Sequence, residues 1–381
     1  MEKVFITKLA KFLPNNPVNS EEMEKKLGLI GNKSSRVKSI ILRQNRIKTR
    51  YYAINEAGEV THTNARLTAL AVAGLFEGAG EYLPDDIRLL CCGTSSPDQM
   101  MPSHASMVHG ELPDAPVMEV MSASGVCCTS TAALKYGYLS VLSGNTPNAI
   151  CTGSELLSPL LMAKNFEIEY EKMEELEKNP LIAFEKDFLR FMLSDGAGAC
   201  LLSNTPNKDG ISLRIEWIDS VSYANELKSC MYQGAERNDD GDLISWKILS
   251  GNEWLEKSIF AIKQDTRYLG KHGVIKAVEH IMNSLSKNNL TSNDIDFLLP
   301  HISSMYFYDQ LKKGLSEAGM PFSDEKWFVN LCEVGNIGAA SIYLMLEQLF
   351  HSGRLKPGQK ILLFNPESGR FSYSNVLLTV V

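Results

Sequence analysis

Residues 120–137 read VMSASGVCCTSTAALKYG, and this run predicts a strand that continues directly into a helix. The small residues after Cys127 allow the helix to pack deep in the protein core. Cys127 then lies near the helix N-terminus, where free N–H groups and the helix dipole lower the pKa of a thiol. Because covalent catalysis requires a thiolate, Cys127 is a candidate nucleophile, although most free cysteines are simply buried. Cys128 is expected to face elsewhere.

Two more polar residues lie where α/β proteins often bind ligands. His301 follows the apolar run 297–300, at the predicted end of a strand, and strand ends are common ligand sites. Asn336 lies between Gly335 and Gly338 at the predicted start of a helix. The alternative interpretations are a buried structural histidine and a tight turn that caps a helix.

The segment 364–372, FNPESGRFS, is predicted to be a loop between two strands. Gly369 would allow the backbone of this loop to approach a ligand closely. A glycine at this position is equally typical of an ordinary turn, so the loop alone does not indicate a site.

Apolar, β-branched runs alternate with helical patterns along the 381 residues, of which 44% are hydrophobic. This alternation predicts an α/β protein whose helices cover buried sheets. A weak twofold repeat is also visible, because the pattern of a strand and a helix at 87–109 occurs again at 295–315. We therefore expect two similar halves, residues 1–210 and 211–381.

Composition and charge argue against several functions. The net charge is −7 and no dense block of Lys and Arg occurs, so nucleic acid is not an expected partner. No apolar run reaches the roughly 20 residues of a membrane span, and residues 1–14 lack the apolar core of a signal peptide. These features predict a cytoplasmic protein. None of the eight cysteines has the paired spacing of a zinc site, so no metal is expected.

Several segments, taken in order, resemble the ketoacyl synthase III branch of the thiolase superfamily. The matching segments are TSSPD at 94–98, Cys127 with Leu134 seven residues later, GSE at 153–155, SDGAGA at 194–199, His301, and GNIGAAS at 335–341. Each match is weak by itself, but their common order makes the resemblance specific. It covers nearly the whole chain.

The resemblance implies a thiolase fold of five αβαβα layers, with two similar halves and usually a homodimer. Cys127 would carry an acyl group delivered as a thioester of coenzyme A or acyl carrier protein, and N–H groups of Cys127 and Gly369 would bind the oxyanion. His301 and Asn336 would stabilise an enolate formed by decarboxylation of a second thioester. The residues expected to contact substrate are Ser304, Ser368 and Phe371. No metal or other cofactor is required.

The chain also departs from the usual pattern of this branch. The common His-Gln-Ala-Asn is replaced by HISS at 301–304, and the common Thr-Gly-Ile-Arg-Glu-Arg by NRIKTR at 45–50. The usual glycine-rich loop is replaced by ESGRF at 367–371. The loop 94–96 lacks the glutamate of hydroxymethylglutaryl synthases, so that product is not expected. These departures favour a specialised lipid or polyketide enzyme over the initiator of fatty acid synthesis.

Four alternatives stay open at this point. One is the condensation of two long acyl thioesters to a ring precursor of dialkylresorcinols, and another is acyl transfer to a hydroxyl. A third is a silent partner subunit that binds acyl carrier protein without catalysis. The fourth is a papain-like protease, which also uses Cys, His and Asn in this order, but the CGSCW neighbourhood of those proteases is absent.

Overall fold

A computed structural model describes residues 3–76, 84–113, 115–166 and 188–381. The strands are β1 Phe5–Phe12, β2 Val18–Asn19, β3 Thr49–Arg50, β4 Leu89–Thr94, β5 Glu119–Ser124, β6 Asn148–Glu155, β7 Gly196–Ser203, β8 Leu213–Ser222, β9 Met231–Tyr232, β10 Ala235–Arg237, β11 Leu243–Ser245, β12 Lys263–Gln264, β13 Phe297–Pro300, β14 Lys360–Pro366 and β15 Ser372–Val380. The helices are α1 Met23–Leu27, α2 Lys38–Asn45, α3 Asn64–Gly74, α4 His104–Gly110, α5 Thr129–Leu142, α6 Gly251–Glu256, α7 Thr266–Lys287, α8 Met305–Glu317, α9 Leu331–Val334 and α10 Ser341–Phe350. None of the helices in these ranges has the length and apolar character to cross a membrane.

The main sheet contains nine strands in the order β13-β14-β15-β8-β1-β7-β6-β4-β5. The strand order β1-β7-β6-β4-β5 in the first half corresponds to β8-β15-β14-β13 in the second. In the second half, a parallel bridge between Leu298 and Trp327 takes the place of the fifth strand. In both halves the first strands pair antiparallel and the last strands pair parallel. The two pseudo-equivalent halves are therefore confirmed.

The halves are joined where β1 pairs with β8, at Phe5 with Arg214 and at Ile6 with Leu213. Residue 210, the predicted boundary, falls in the connection between β7 and β8. The division into separate domains at that residue stays a prediction.

The sheet is buried on both faces, which explains the apolar runs in the sequence. Along β4, Leu89 and Cys91 face an inner core, whereas Leu90 and Cys92 face an outer core. Because side chains alternate along a strand, one continuous apolar run contributes to both cores. Each buried leucine stabilises the fold by about 1.5–3 kcal/mol.

Helices α5 and α10 lie in the inner core, where Leu134 and Leu346 pack with strands of both halves. Helices α3 and α4 cover the outer face of the first half. Helices α7 and α8 cover the outer face of the second half. This arrangement gives the five αβαβα layers that the resemblance implies.

The repeated units occur where the sequence predicts them, because β4 is followed by α4 and β13 by α8. Ser103 and Ser304 precede these helices, and their side chains accept hydrogen bonds from the N–H groups of Ser106 and Tyr306. The polar residues that follow β4 and β13 therefore lie at strand ends, in front of a capped helix.

Two glycines allow the inner helices to touch the strands. A Cβ atom on Gly93 would lie 2.4 Å from the carbonyl oxygen of Thr129, at the start of α5. A Cβ atom on Gly153 would lie 2.3 Å from the carbonyl oxygen of Ala339, just before α10. Because both neighbours are backbone atoms, neither position accepts a side chain without moving a helix.

Candidate active site

Cys127 lies between β5 and α5 and is 7% exposed. Its carbonyl oxygen accepts hydrogen bonds from Ser130 Oγ at 3.2 Å and from Asn365 Nδ2 at 3.0 Å. Because Asn365 belongs to β14, both halves of the fold fix the backbone of Cys127. The Cys128 thiol turns away and donates to the carbonyl oxygens of Asn365 and Ser372. The expectation that Cys128 faces elsewhere is confirmed.

The position of Cys127 at the start of α5 does not make its thiol ionise. Burial raises the pKa of this thiol well above its usual value, and the carboxyl groups of Glu155 and Glu367 raise it further. The prediction of a thiolate in the free protein is wrong, because the loss of hydration of a buried anion outweighs the helix dipole. An attack by Cys127 therefore requires a group that accepts its proton.

His301 directly follows β13, and its backbone N–H donates to the carbonyl oxygen of Phe364 at 2.8 Å. Burial lowers the pKa of the imidazole to about 4, so the ring is neutral at pH 7. Its buried Nδ1 atom has no hydrogen-bond partner in the described part of the chain. A neutral imidazole donates one hydrogen bond without bringing positive charge into the site.

Asn336 lies just after α9, in a turn that passes through Gly335 with a φ of 75°. Its backbone N–H donates to the carbonyl oxygen of Met192 at 3.0 Å, and its carbonyl oxygen accepts from the Ser194 N–H at 2.9 Å. Its Oδ1 atom accepts a hydrogen bond from the Gly338 N–H at 3.0 Å. The carboxamide is therefore oriented with its oxygen engaged by the backbone. A turn is present, as the alternative interpretation required, and it holds this side chain in place.

Cys127, His301 and Asn336 all line one cavity, whose empty space is about 940 Å³ including its open mouth. Polar groups of Ser95, Gln264, Ser303, Glu367 and Ser368 also line it. The apolar walls include Leu157, Leu193, Met231, Leu269, Phe307 and Leu311. A cavity with apolar walls and a few polar groups at one place is typical of a small-molecule site.

Of the three residues predicted to contact substrate, one lines the cavity and two lie elsewhere. Ser368 lines the cavity, whereas Ser304 and Phe371 do not belong to its lining. Ser304 is buried and caps α8, and Phe371 is buried against Tyr268 in the outer core of the second half. The structure gives both residues a structural role, and their contact with substrate stays a prediction.

Gly369, the predicted second oxyanion donor, lies in the loop beside Cys127. A Cβ atom at Gly369 would lie 2.7 Å from Val126 Cγ2. The Gly369 carbonyl oxygen accepts hydrogen bonds from the N–H groups of Cys230 and Met231. These contacts orient the peptide next to the nucleophile segment, and an oxyanion bond from the Gly369 N–H stays a prediction.

Sequence reasoning assigned no role to Glu155, which is fully buried. Its carboxylate accepts hydrogen bonds from Ser95 Oγ at 2.7 Å, Ser96 Oγ at 2.6 Å and the Ala339 N–H at 3.0 Å. Glu155 therefore connects the loop after β4 to the turn that carries Asn336. The GSE segment at 153–155 was visible in the sequence, but nothing in its spacing indicated these partners.

Sequence reasoning also missed Glu367 as a member of the site. Its side chain lines the cavity, and burial raises the pKa of its carboxyl group. The only sequence signal was that ESGRF replaces a glycine-rich loop.

The nine-stranded sheet and the two inner helices define a thiolase fold, and the cavity at Cys127 lies within it. Two solved structures share this fold along the whole chain. The tetronic acid condensing enzyme AbyA1 has a TM-score of 0.76 at 20% identity and covers 99% of both chains. OleA of Xanthomonas campestris, with bound lauric acid and lauroyl-CoA, has a TM-score of 0.72 at 20% identity and covers 99% of both chains.

Comparisons of sequence agree with this class. The C-terminal family of 3-oxoacyl-[acyl-carrier-protein] synthase III matches residues 285–378. The β-ketoacyl-[acyl-carrier-protein] synthase III of Campylobacter fetus subsp. fetus is 24% identical over 99% of this chain and 98% of its own. The predicted resemblance is confirmed: along its whole length the chain is similar to condensing acyltransferases named ketoacyl synthase III. The papain-like protease is thereby set aside.

Proposed function

We propose that the protein forms a carbon–carbon bond by decarboxylative Claisen-type condensation through an acyl group on Cys127. The observation that supports this most directly is that Cys127, His301 and Asn336 line the same cavity. Cys127 supplies a nucleophile, and His301 and Asn336 supply neutral hydrogen-bond donors. The cavity thus offers both a covalent carrier and a place to stabilise negative charge.

In the first step, the Cys127 sulfur attacks the carbonyl carbon of an acyl thioester. The tetrahedral oxyanion is bound by the backbone N–H groups of Cys127 and Gly369, and its collapse releases the thiol of the carrier. Coenzyme A or acyl carrier protein would deliver the acyl group. The apolar walls around Leu269 and Leu311 favour an acyl substrate over a polar one.

In the second step, a carboxylated thioester enters and loses carbon dioxide, which generates an enolate. Hydrogen bonds from His301 and Asn336 to the thioester oxygen stabilise this enolate, and its carbon attacks the acyl group on Cys127. Because His301 is neutral, it donates a hydrogen bond but does not hold a carboxylate as an ion pair. No resident metal or cofactor enters either step.

A ring-forming condensation of two long acyl thioesters is the second candidate. Its support is the apolar cavity together with the bound lauroyl-CoA of the OleA structure. Acyl transfer to a hydroxyl would use the same acyl enzyme. Product analysis separates the three outcomes, because they yield a linear 3-oxoacyl thioester with carbon dioxide, a cyclic product or an ester.

Intact-protein mass spectrometry after incubation with a panel of acyl thioesters tests the proposal. We expect one acyl group per chain, located at Cys127 by peptide mapping and absent from Cys127→Ala. The matched control is Cys332→Ala, since Cys332 is half-buried and outside the cavity lining. An adduct that persists in Cys127→Ala, or no adduct with any donor, contradicts the proposed function.

A homodimer is also proposed, formed through the open edge of the sheet. Strand β5 is the last strand of the sheet and pairs only with β4 among the described residues. Beside it on α5, Tyr136 and Leu139 are 42% and 50% exposed. An unpaired edge next to exposed apolar side chains is typical of a surface that another chain covers.

Leu139→Lys is expected to convert the dimer into a monomer, because it introduces a charge where an apolar side chain is covered. Sedimentation or light scattering measures the molecular mass. Ile275→Lys on α7 is the matched control, since Ile275 is also exposed, at 65%, but lies on the far side of the second half. A wild-type monomer, or a dimer that tolerates both changes, argues against this interface.

A further inference from the structure

The carboxyl group of Glu367 lies against the backbone on both sides of Cys127. Its Oε1 accepts a hydrogen bond from the Arg370 N–H at 3.4 Å, and the nearby N–H groups of Val126 and Cys128 act to lower the pKa of its carboxyl group. Glu367 and Cys127 line the same cavity. A Cβ atom on Gly125 would lie 4.0 Å from Glu367 Oε2, so this carboxyl group lies beside the segment that carries the nucleophile.

The loop that carries Glu367 is fixed by an unusual residue. Phe371 adopts a φ of 57°, which bulky residues rarely do. Its ring is buried at 0% exposure and packs against Tyr268 and His272. This packing offsets the backbone strain and keeps the loop in one conformation. The packing of Phe371 thus fixes the backbone of the loop from which the Glu367 side chain extends.

The surroundings of Glu367 and Cys127 permit one of these two groups to be ionised but disfavour the ionisation of both. Among the described residues that line the cavity there is no Lys or Arg. The titratable groups near Glu367 and Cys127 are Glu155, Tyr373, His301 and Cys128, whose thiol turns away. A Cys127 thiolate beside a Glu367 carboxylate would place two buried anions together without a cation.

We propose that Glu367 is a further catalytic residue, which carries a proton from the Cys127 thiol to the departing thiol of the substrate. This role rests on the proposed acyl-enzyme mechanism. It explains how a buried thiol attacks at neutral pH without a second anion. Transfer proceeds directly or through one water molecule, which are both normal routes for a general base.

The step balances in protons and electrons. The S–H bond of Cys127 breaks and its proton moves to Glu367, while the sulfur electron pair forms the bond to the acyl carbon. When the tetrahedral intermediate collapses, the bond from carbon to the carrier sulfur breaks. Glu367 then returns the proton to that sulfur and becomes a carboxylate again. Glu367 and Cys127 together therefore carry one negative charge before and after acylation.

His301 is a weaker candidate for this role. Burial lowers the pKa of its imidazole to about 4, which makes the ring a poor proton acceptor, whereas burial raises the pKa of Glu367 above its usual value. The Arg370 N–H donates a hydrogen bond to Glu367, whereas no described residue pairs with His301 Nδ1. Glu367 therefore acts in acyl transfer, and His301 acts in enolate stabilisation.

Glu367→Gln separates a proton-transfer role from a structural one. The substitution should slow acylation of Cys127 but make its thiol easier to ionise. The rate of acyl-enzyme formation is expected to fall by about 10²-fold or more, since the proton acceptor is lost. The pH profile of iodoacetamide modification at Cys127, followed by peptide mass spectrometry, is expected to move to lower pH. It moves because the carboxylate no longer repels the thiolate. Glu367→Asp should recover part of the acylation rate.

Glu317→Gln is the matched control, since Glu317 is an exposed acid on α8, and both of its readouts should equal those of the wild type. Equal acylation rates in wild type and Glu367→Gln overturn the inference, as does an unchanged alkylation profile. If the wild type takes up no acyl group from any donor, the proposed function itself fails. The alkylation profile then still decides whether Glu367 and Cys127 share one charge.

Discussion

His301→Ala is expected to slow carbon–carbon bond formation by about 10²–10³-fold while Cys127 still takes up its acyl group. In the proposed mechanism the enolate carries its charge on the thioester oxygen, to which His301 and Asn336 would each donate a hydrogen bond from the cavity wall. Removal of one buried donor leaves that charge partly unbalanced in surroundings where water does not replace the bond. Separate assays of acyl-enzyme formation and of carbon dioxide release from a carboxylated thioester measure the two steps.

The pH dependence of His301 sharpens this prediction. Because burial lowers the pKa of the imidazole to about 4, the ring stays neutral from pH 5 to pH 8. The decarboxylation rate should therefore not follow a titration near pH 6.5, the ordinary value for histidine. His62→Ala is the control, since His62 is half-buried and outside the cavity lining. If His301→Ala slows acylation and condensation equally, His301 acts in another step.

Gly153→Ala is expected to destabilise the protein by about 3 kcal/mol or more and to remove most activity. The added Cβ would lie 2.3 Å from the carbonyl oxygen and 2.9 Å from the carbonyl carbon of Ala339, and 2.8 Å from Ser130 Cβ. Two of these are backbone atoms, so relief requires the turn before α10 or the start of α5 to move. Those movements would displace Asn336 and Cys127 together. Urea unfolding monitored by circular dichroism measures the change.

Gly270→Ala is the matched control for this substitution. Gly270 lies in α7 and a Cβ atom there would meet nothing within 4 Å. The change should stabilise the protein by about 0.4–1 kcal/mol, because alanine favours a helix and restricts the unfolded chain. If both variants change the free energy of unfolding in the same direction, the close approach at Gly153 does not determine its stability.

Much of the fold was predictable from local patterns. The alternating apolar runs identified β4 and β13, and the repeated strand-and-helix unit identified the two halves. The cap at Ser304 was also readable, because a serine directly before a helix commonly accepts from the helix N–H groups. We instead expected Ser304 to contact substrate, since the resemblance drew attention to its position and not to its local role.

The electrostatics of the site were not predictable in the same way. The helix start at Cys127 favours a thiolate, and that contribution is visible in the sequence. Burial and the carboxyl groups of Glu155 and Glu367 act in the opposite direction, and they depend on residues far away in the chain. Long-range contacts of this kind leave no periodic pattern. The left-handed backbone at Phe371 is a similar case, because no propensity predicts it for a bulky side chain.

The joining of two halves through one continuous sheet has a consequence for how the molecule assembles. The walls of the cavity extend from Ser95 to Tyr373, so almost the whole polypeptide must be in place before the cavity closes. Bringing such distant segments together is entropically expensive and slow compared with forming a local hairpin. Catalytic competence therefore emerges at the end of folding, and a nascent or truncated chain would form much of its secondary structure before it held a pocket.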